Sequence, residues 1–366
     1  MLGGKSDRSA ANHRGPSLSG AEETSGVREI TAILVSWRDA EEAEAAVASL
    51  AGGRQSPAAG GIRVSLVIVD NGSALAGRGR VAAVWPDASL LVNAENRGFA
   101  AAANQGARAA QGDVLLFLNP DTRAVGDPFG ELARAFREHP EAVAVAPRLL
   151  DLEGEPRSGD RLAPPDREDQ FTFQLRRLPT LGSDARQLLL FDHCFPNNRR
   201  RRRERYAEAD RETSFPVEQA AGAALAVRRS AFEAVGGFDE RFFPAWFEDV
   251  DLCARLHRLG AILYWPEACF RHRGRVSSRT LGYTRFLPIY YANALRYRER
   301  YTSWARWAYR GLLVAGMLLR LIALPLRPRV PRPRGEAARG YLRTLILGLT
   351  FRSRSEPGNP KSKIQP

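Results

Sequence analysis

The chain has 366 residues, 44% of them hydrophobic and 26% charged, which is ample for a large core and too apolar for a wholly disordered protein. Its formal net charge of +13 is unevenly placed: from Arg271 to Pro366 there are 21 Lys and Arg against 3 Asp and Glu, whereas the first 270 residues hold 33 against 38. Three widely spaced cysteines, Cys194, Cys253 and Cys269, contain no C-x-x-C pair, which argues against a disulfide framework or a structural zinc site and fits a reducing compartment.

Residues 1–27 are rich in Gly, Ser and Ala, lack an apolar signal core, and read as a disordered tail. Ile30–Trp37 is the first apolar run and predicts a strand. Asp39 is placed to cap an Ala- and Glu-rich helix reaching Leu50, and 52–61 reads as a loop. Strands are predicted at Val64–Val69 and Ser89–Val92, followed by an Ala-rich helix opening within Asn96–Gly106. Val114–Leu118 is a short continuous apolar run stopped by Asn119-Pro120-Asp121, as expected of a strand buried on both faces in a parallel sheet. A helix at Pro128–His139 and a strand at Ala142–Pro147 complete an alternation that predicts an α/β fold, a mainly parallel sheet flanked by helices.

From 151 to 215 the pattern degrades into prolines, charges and the run Arg199–Arg203, and this stretch reads as an insertion or long mobile loop. Pattern returns at Val217–Val227, followed by a helix at Arg229–Val235, the turn 236–239, a helix at Phe247–Leu259 and a short strand at Ala261–Tyr264. Tyr283–Leu326 reads as helical, 327–340 as Pro- and Arg-rich, Tyr341–Phe351 as a short apolar helix, and 352–366 as a disordered tail.

Four clusters carry possible chemistry. Asp70 ends the second strand, where an acid can accept from a nucleobase or a ribose hydroxyl, although Asp-Asn-Gly is also plain turn chemistry. Asn96, Gly98 and Asn104 open a helix whose N-terminus and small residues suit close approach to a phosphate, or equally a packing helix. Asp121 sits just past a strand end, suited to hold a hard cation against a phosphate, or to make a turn. Glu248, Asp249 and Asp251 follow Trp246-Phe247 at a helix start. First-turn acids complement the helix dipole, but carboxylates beside aromatics can also serve as a base. His272 lies in a basic loop and gains interest only as a third ligand for a cation already held by Asp121.

In order and spacing, the segments VSW (35–37), VDNGS (69–73), NRGFAAAANQG (96–106), LNPDT (118–122), GAALAVRRSAFEAVGGFDERFF (222–243), FEDVDLC (247–253) and HRGRVS (272–277) resemble glycosyltransferase family 2, in particular its rhamnosyltransferase-like branch. The resemblance covers roughly 29–300. It implies a GT-A fold over 28–300, with 151–215 as a variable insertion. It also implies an inverting, metal-dependent transfer from a nucleotide-sugar, rhamnose from a dTDP donor being the best single choice, to a saccharide or lipid-linked saccharide in cell-surface polysaccharide synthesis. Asp121 and His272 would then hold Mg²⁺ or Mn²⁺, with Asn119 replacing the first acid of the D-x-D pattern. Val35, Trp37, Asp70, Asn96, Gly98, Asn104 and Asn119 would face the nucleotide-sugar. Asp249 would be the base, with Glu248 and Asp251 supporting it or contacting the acceptor. Ser36-Trp37-Arg38 departs from the usual Asn-Tyr-Asn-like run.

Residues 301–351 form a basic amphipathic extension. Gly311–Leu326 is short for a span, which needs about 20 apolar residues. With Trp304, Trp307, Tyr309 and surrounding arginines it suits an interfacial helix on anionic lipid, or a core helix with a solvated basic face. This predicts a cytoplasmic protein peripheral to the inner face of the membrane. A nucleic-acid binder using the arginine-rich regions is an alternative that leaves the acid-tipped body without a task; an inactive nucleotide-sugar-binding relative is another.

Overall fold

The computed structural model describes residues 26–38, 40–54, 61–72, 78–152, 170–274, 276–325 and 333–352. Most of both terminal tails, the Asp39 cap and the first part of the 151–215 stretch lie outside the described residues. In the first third, β1 (Glu29–Ser36), α1 (Ala40–Arg54), β2 (Arg63–Asn71), α2 (Arg78–Val84), β3 (Ser89–Asn93), α3 (Phe99–Ala109) and β4 (Val114–Leu118) alternate as expected. Helix α2 was not expected, because seven residues are too few to establish a helical period. After β4 comes a second unexpected element, β5 (Thr122–Val125), then α4 (Pro128–Glu138) and β6 (Ala142–Asp151). Asp127 caps α4 by accepting from the Gly130 N–H at 3.1 Å, with Pro128 in the first turn.

The described part of 151–215 is not a loose loop. It forms α5 (Phe171–Gln174), β7 (Leu175–Arg176), α6 (Leu181–Leu188), α7 (Phe191–Cys194) and α8 (Arg199–Glu204), with α6 opened by a Thr180/Ser183 capping box. Then follow β8 (Phe215–Val217), β9 (Gln219–Ala220), β10 (Ala224–Arg228), α9 (Arg229–Ala234), α10 (Glu248–Leu256), β11 (Ala261–His272), α11 (Val276–Tyr297), α12 (Ser303–Ala323) and α13 (Arg334–Thr350). β11 is twelve residues long, not the short strand expected, and α13 begins seven residues before the predicted Tyr341.

The main sheet runs β3-β2-β1-β4-β10-β6-β11-β5, with β8 also on β11. β3, β2, β1 and β4 are parallel; β10 is antiparallel to both β4 and β6. β4 therefore lies in mid-sheet as predicted, but one of its neighbours is antiparallel. Its five residues are all buried and alternate between two cores. Val114, Leu116 and Leu118 join a cluster with Val47, Phe129 and Phe136; Leu115 and Phe117 join one with Ala103, Leu252 and Cys253. A strand covered on both faces has no solvent side, which is why it reads as an unbroken apolar run.

A third core unites the C-terminal helices with the α/β body. Phe247 and Val250 of the α10 start pack with Leu188, Tyr291, Leu313, Met317 and Tyr341. The buried Arg298 guanidinium pairs with Asp184 of α6 and lies 4.4 Å over the Tyr309 ring. The expected basic extension is thus packed directly behind α10.

Candidate active site

Strand register brings two of the predicted donor residues to one edge. Val35 pairs with Val69 and Ser36 with Asp70, at the carboxyl ends of β1 and β2. Asp70 is fully buried there, and Val35, 6% exposed, belongs to the core beneath the edge. Trp37 is the exposed member, with the Arg38 guanidinium 4.9 Å over its ring.

The 93–98 loop is organised by Asn71, which sequence reasoning passed over. Its Oδ1 accepts from Asn93 Nδ2 at 3.1 Å and from the Arg97 N–H at 3.0 Å; its Nδ2 donates to Asn96 Oδ1 at 3.0 Å. Asn96 Oδ1 also accepts from the Gly98 N–H, so this side chain shapes the loop instead of reaching for a ligand. Gly72 is required at φ 86°, since a Cβ would lie 2.6 Å from Glu95 backbone. Gly98, at φ 84°, does not open space for a ligand as expected: a Cβ there would meet the Phe243 ring at 2.9 Å. Asn104 is also reassigned. It donates to Phe238 O at 2.9 Å and accepts from the Phe238 N–H at 2.8 Å, stapling α3 to the 236–240 turn, so its amide is already committed.

The cation end is set by β5 against β11. Antiparallel pairing places His272 opposite Thr122, and so beside Asp121. Asp121 Oδ1 lies 3.4 Å from His272 Nε2, both side chains being under 10% exposed. His272 Nδ1 is 2.8 Å from Gln170 Oε1. Gln170 uses its amide nitrogen on Asp151 Oδ1 and His272 O, at 2.9 and 2.7 Å, which assigns the oxygen to the ring. The Nδ1 atom therefore carries the proton, and in the neutral ring the Nε2 lone pair faces a carboxylate oxygen with no proton between them. A cation or an imidazolium proton relieves that apposition, and an imidazole fixed through its other nitrogen is the usual support of a metal ligand. Burial pushes the Asp121 carboxyl up, but His272 and the Gly274 N–H at 3.1 Å outweigh it and hold the carboxyl below its ordinary value. Among the described residues no set of three His, Cys, Asp or Glu converges as a metal cage. Two protein donors with phosphate oxygens completing the shell is an arrangement that suits Mg²⁺ or Mn²⁺.

The opposite pole is the start of α10. Trp246 and Phe247 are consecutive non-glycine residues at φ 75° and 76°, each costing on the order of 1–3 kcal/mol. Ring packing holds them: Trp246 on Phe286 at 4.9 Å and Phe247 on Tyr290 at 5.1 Å. This sharp approach places Glu248, Asp249 and Asp251 in one turn. Asp249 Oδ2 accepts from the Gly222 N–H at 3.1 Å and Oδ1 from Val250 N–H at 2.7 Å. Burial raises its carboxyl above the ordinary value, against those N–H groups and the positive charge of Arg176. Glu248 is driven well above the carboxylate range, first by burial and then by Asp249, and its Oε2 has no hydrogen-bond partner in the structure. Asp251 is wholly buried and ion-paired with Arg255 and Arg300, so it anchors α10 and is not presented to an acceptor.

The two poles are joined by one backbone step. Gly222 N–H holds Asp249, and the carbonyl of the next residue, Ala223, accepts the Asn119 N–H at 3.0 Å, two residues before Asp121. Asn119 itself contributes backbone to this tip, its carbonyl taking the Thr122 hydroxyl at 2.7 Å. Asp249 and the Asp121 turn are therefore tied to one edge of the sheet. Gln170, Arg176, Gly222 and Arg300 were missed, and no local signal marks them.

Comparison with known proteins was made against this geometry. The profile described as "Glycosyl transferase family 2" matches residues 32–235, and one described as "N-terminal domain of galactosyltransferase" matches 203–276. The N-acetylglucosaminyl-diphospho-decaprenol L-rhamnosyltransferase of Mycobacterium tuberculosis, in strains CDC 1551 and H37Rv, is 28% identical over 268 residues, covering 68% of this chain and 81% of the relative. Among solved structures, GalNAc-T7 with UDP, GalNAc and Mn²⁺ aligns with TM-score 0.51 at 13% identity, over 90% of this chain and 56% of that one. The mannosyltransferase PcManGT of Pyrobaculum calidifontis, in complex with GDP-Man and Mn²⁺, aligns with TM-score 0.49 at 15% identity, over 92% and 91%.

Proposed function

The chain belongs to glycosyl transferase family 2 and is a glycosyltransferase with a GT-A fold, and we propose that it is an inverting, divalent-metal-dependent enzyme that moves a sugar, rhamnose from dTDP-rhamnose, onto a saccharide or lipid-linked saccharide. The observation that supports this reading is the backbone step at 222–223, which ties the raised Asp249 carboxyl and, through the Asn119 N–H, the turn that carries the lowered Asp121 carboxyl to the same edge. The rhamnosyl and lipid-linked parts rest on the printed name of the Mycobacterium tuberculosis relative.

Asp121 and His272 would hold Mg²⁺ or Mn²⁺, which when bound neutralises charge on the departing diphosphate. Asp249, fixed by two N–H groups, takes the proton of the acceptor hydroxyl as that oxygen attacks the anomeric carbon. Glu248, protonated beside it, keeps a second negative charge out of the turn. Trp37 offers an exposed ring at the strand edge where a base would stack. One base and one displacement give inversion.

The exposed face of α12 supports peripheral membrane contact on the cytoplasmic side. Trp304, Trp307, Gly311, Ala315, Leu318 and Ile322 follow helical spacing along its solvent side without a charge. Trp304, Trp307 and Ile322 are 68%, 65% and 72% exposed. No helix among the described residues is long and apolar enough to cross a membrane. Apolar stripes flanked by arginines suit an interfacial helix on anionic lipid.

A thermal-shift panel of nucleotide-sugars with and without Mn²⁺ tests the donor, and NMR of the product's anomeric configuration tests inversion. A Mn²⁺-dependent shift with dTDP-rhamnose and an inverted product are expected. Equal shifts without metal, or retention, overturn the reading.

A further inference from the structure

The α7–α8 segment carries chemistry that the transfer step does not use. Helix geometry puts Arg199, Arg200 and Arg203 on one face, since neighbours three and four apart align. All three are exposed, and none has an acidic partner among the described residues. Arg201 and Arg202 differ: Arg201 donates to Pro196 O at 3.1 Å, and Arg202 pairs with Glu208 at 3.2 Å. Beside this face stand two exposed rings, Phe191 and Phe195, with centroids 4.9 Å apart. An open cleft of about 360 Å³ runs between the groups, lined by Arg186, Phe191, Asn198, Arg199 and Arg200.

The position of this cleft is informative. On one side, Arg320 of α12 donates to the carbonyls of Leu188 and Gln187 at the end of α6, on the buried side of α12 where Leu313 and Met317 pack. On the other, the Glu204 carbonyl at the end of α8 accepts the Arg177 N–H at 2.8 Å, next to Arg176 whose charge acts on Asp249. Unneutralised like charges on a helix face are destabilising, whereas guanidinium groups bind phosphate in paired hydrogen bonds. Exposed aromatic rings next to them take apolar chain.

We propose that this cleft binds the acceptor by a diphosphate carried on an apolar chain, with Arg199, Arg200 and Arg203 on the phosphates and Phe191 and Phe195 on the first units of the chain. This rests on the reading of the acceptor as lipid-linked. It assigns acceptor recognition to α7–α8, apart from the donor site.

The test is calorimetric titration of the full chain with farnesyl diphosphate, inorganic diphosphate and farnesol, in EDTA so that the Asp121 site cannot contribute through a metal. Farnesyl diphosphate binds at least tenfold more tightly than either fragment. The triple variant R199A/R200A/R203A loses at least tenfold, and F191A/F195A loses the advantage over inorganic diphosphate, while the Mn²⁺-dependent donor shift stays intact in both. Equal binding of all three ligands, or wild-type affinity in the triple variant, overturns the proposal. So does a triple variant that loses only flotation with anionic vesicles, since its arginines would then serve the bilayer. A missing donor shift in the unmodified chain would instead sink the transferase reading and leave this titration interpretable.

Discussion

Asp121 and Asp249 are the same side chain in opposite surroundings. At the β4–β5 tip, an imidazole and a backbone N–H overcome burial and keep Asp121 ionised. At the α10 start burial prevails, and both Asp249 and Glu248 are raised, Glu248 with a further push from Asp249 and Asp251. One environment suits holding a cation, the other accepting a proton, and carboxyls pushed in opposite directions are the pattern of divided roles. What separates them is secondary structure: a strand-edge turn supplies an imidazole and a backbone N–H in register, whereas a helix start crowds acids within one turn.

The sharpest break of this comparison is Asp249→Asn, which keeps shape and removes the base. Turnover should fall by about 10³-fold, with the Mn²⁺-dependent donor shift unchanged; loss of that shift would mean both carboxyls serve the cation. Asp121→Ala should lower activity by about 10²-fold and abolish the metal-dependent shift, read by thermal melting. Asn104→Ala removes a staple distant from either carboxyl. It should cost about 1–3 kcal/mol by denaturant unfolding without moving the pH profile.

The smaller effects concern pH. Because the Asp249 carboxyl is raised, the acid limb of kcat/KM should lie above the ordinary Asp value of 3.8. For Glu248 the folded state favours the protonated form. Its contribution to stability is complete below the ordinary 4.5 and is lost as pH rises through the raised value. Glu248→Gln, which mimics the protonated form, should therefore match the parent Tm in acid and exceed it increasingly as pH rises. A gap that narrows with pH would show that the buried turn is ionised.

Asp121 and Asp249 were legible because each interrupts a local pattern, one ending an apolar run and the other opening a helix. Gln170 was not, because its meaning depends on His272, 102 residues away. The length of β11 was hidden by Pro266, which reads as a strand end; the sheet absorbs it in a register shift between Trp265 and Cys269. Asn104 and Gly98 were misread for a related reason. Small and amide residues at a helix start fit a phosphate or a neighbouring loop equally well, and only the partner decides. The 151–215 stretch lacked periodicity because the helices among its described residues are four to eight residues long.

Position 222 has an evolutionary consequence. The base is gripped there by a peptide N–H, a group that every residue except proline retains through mutation. Drift at this site can change bulk, since an added methyl would press within 3.3 Å of the Asp249 Cβ, without severing the bond. On the proposed reading of Asp249 as the base, descendants of this chain can thus vary the side chain packed against it while the proton acceptor stays where it is.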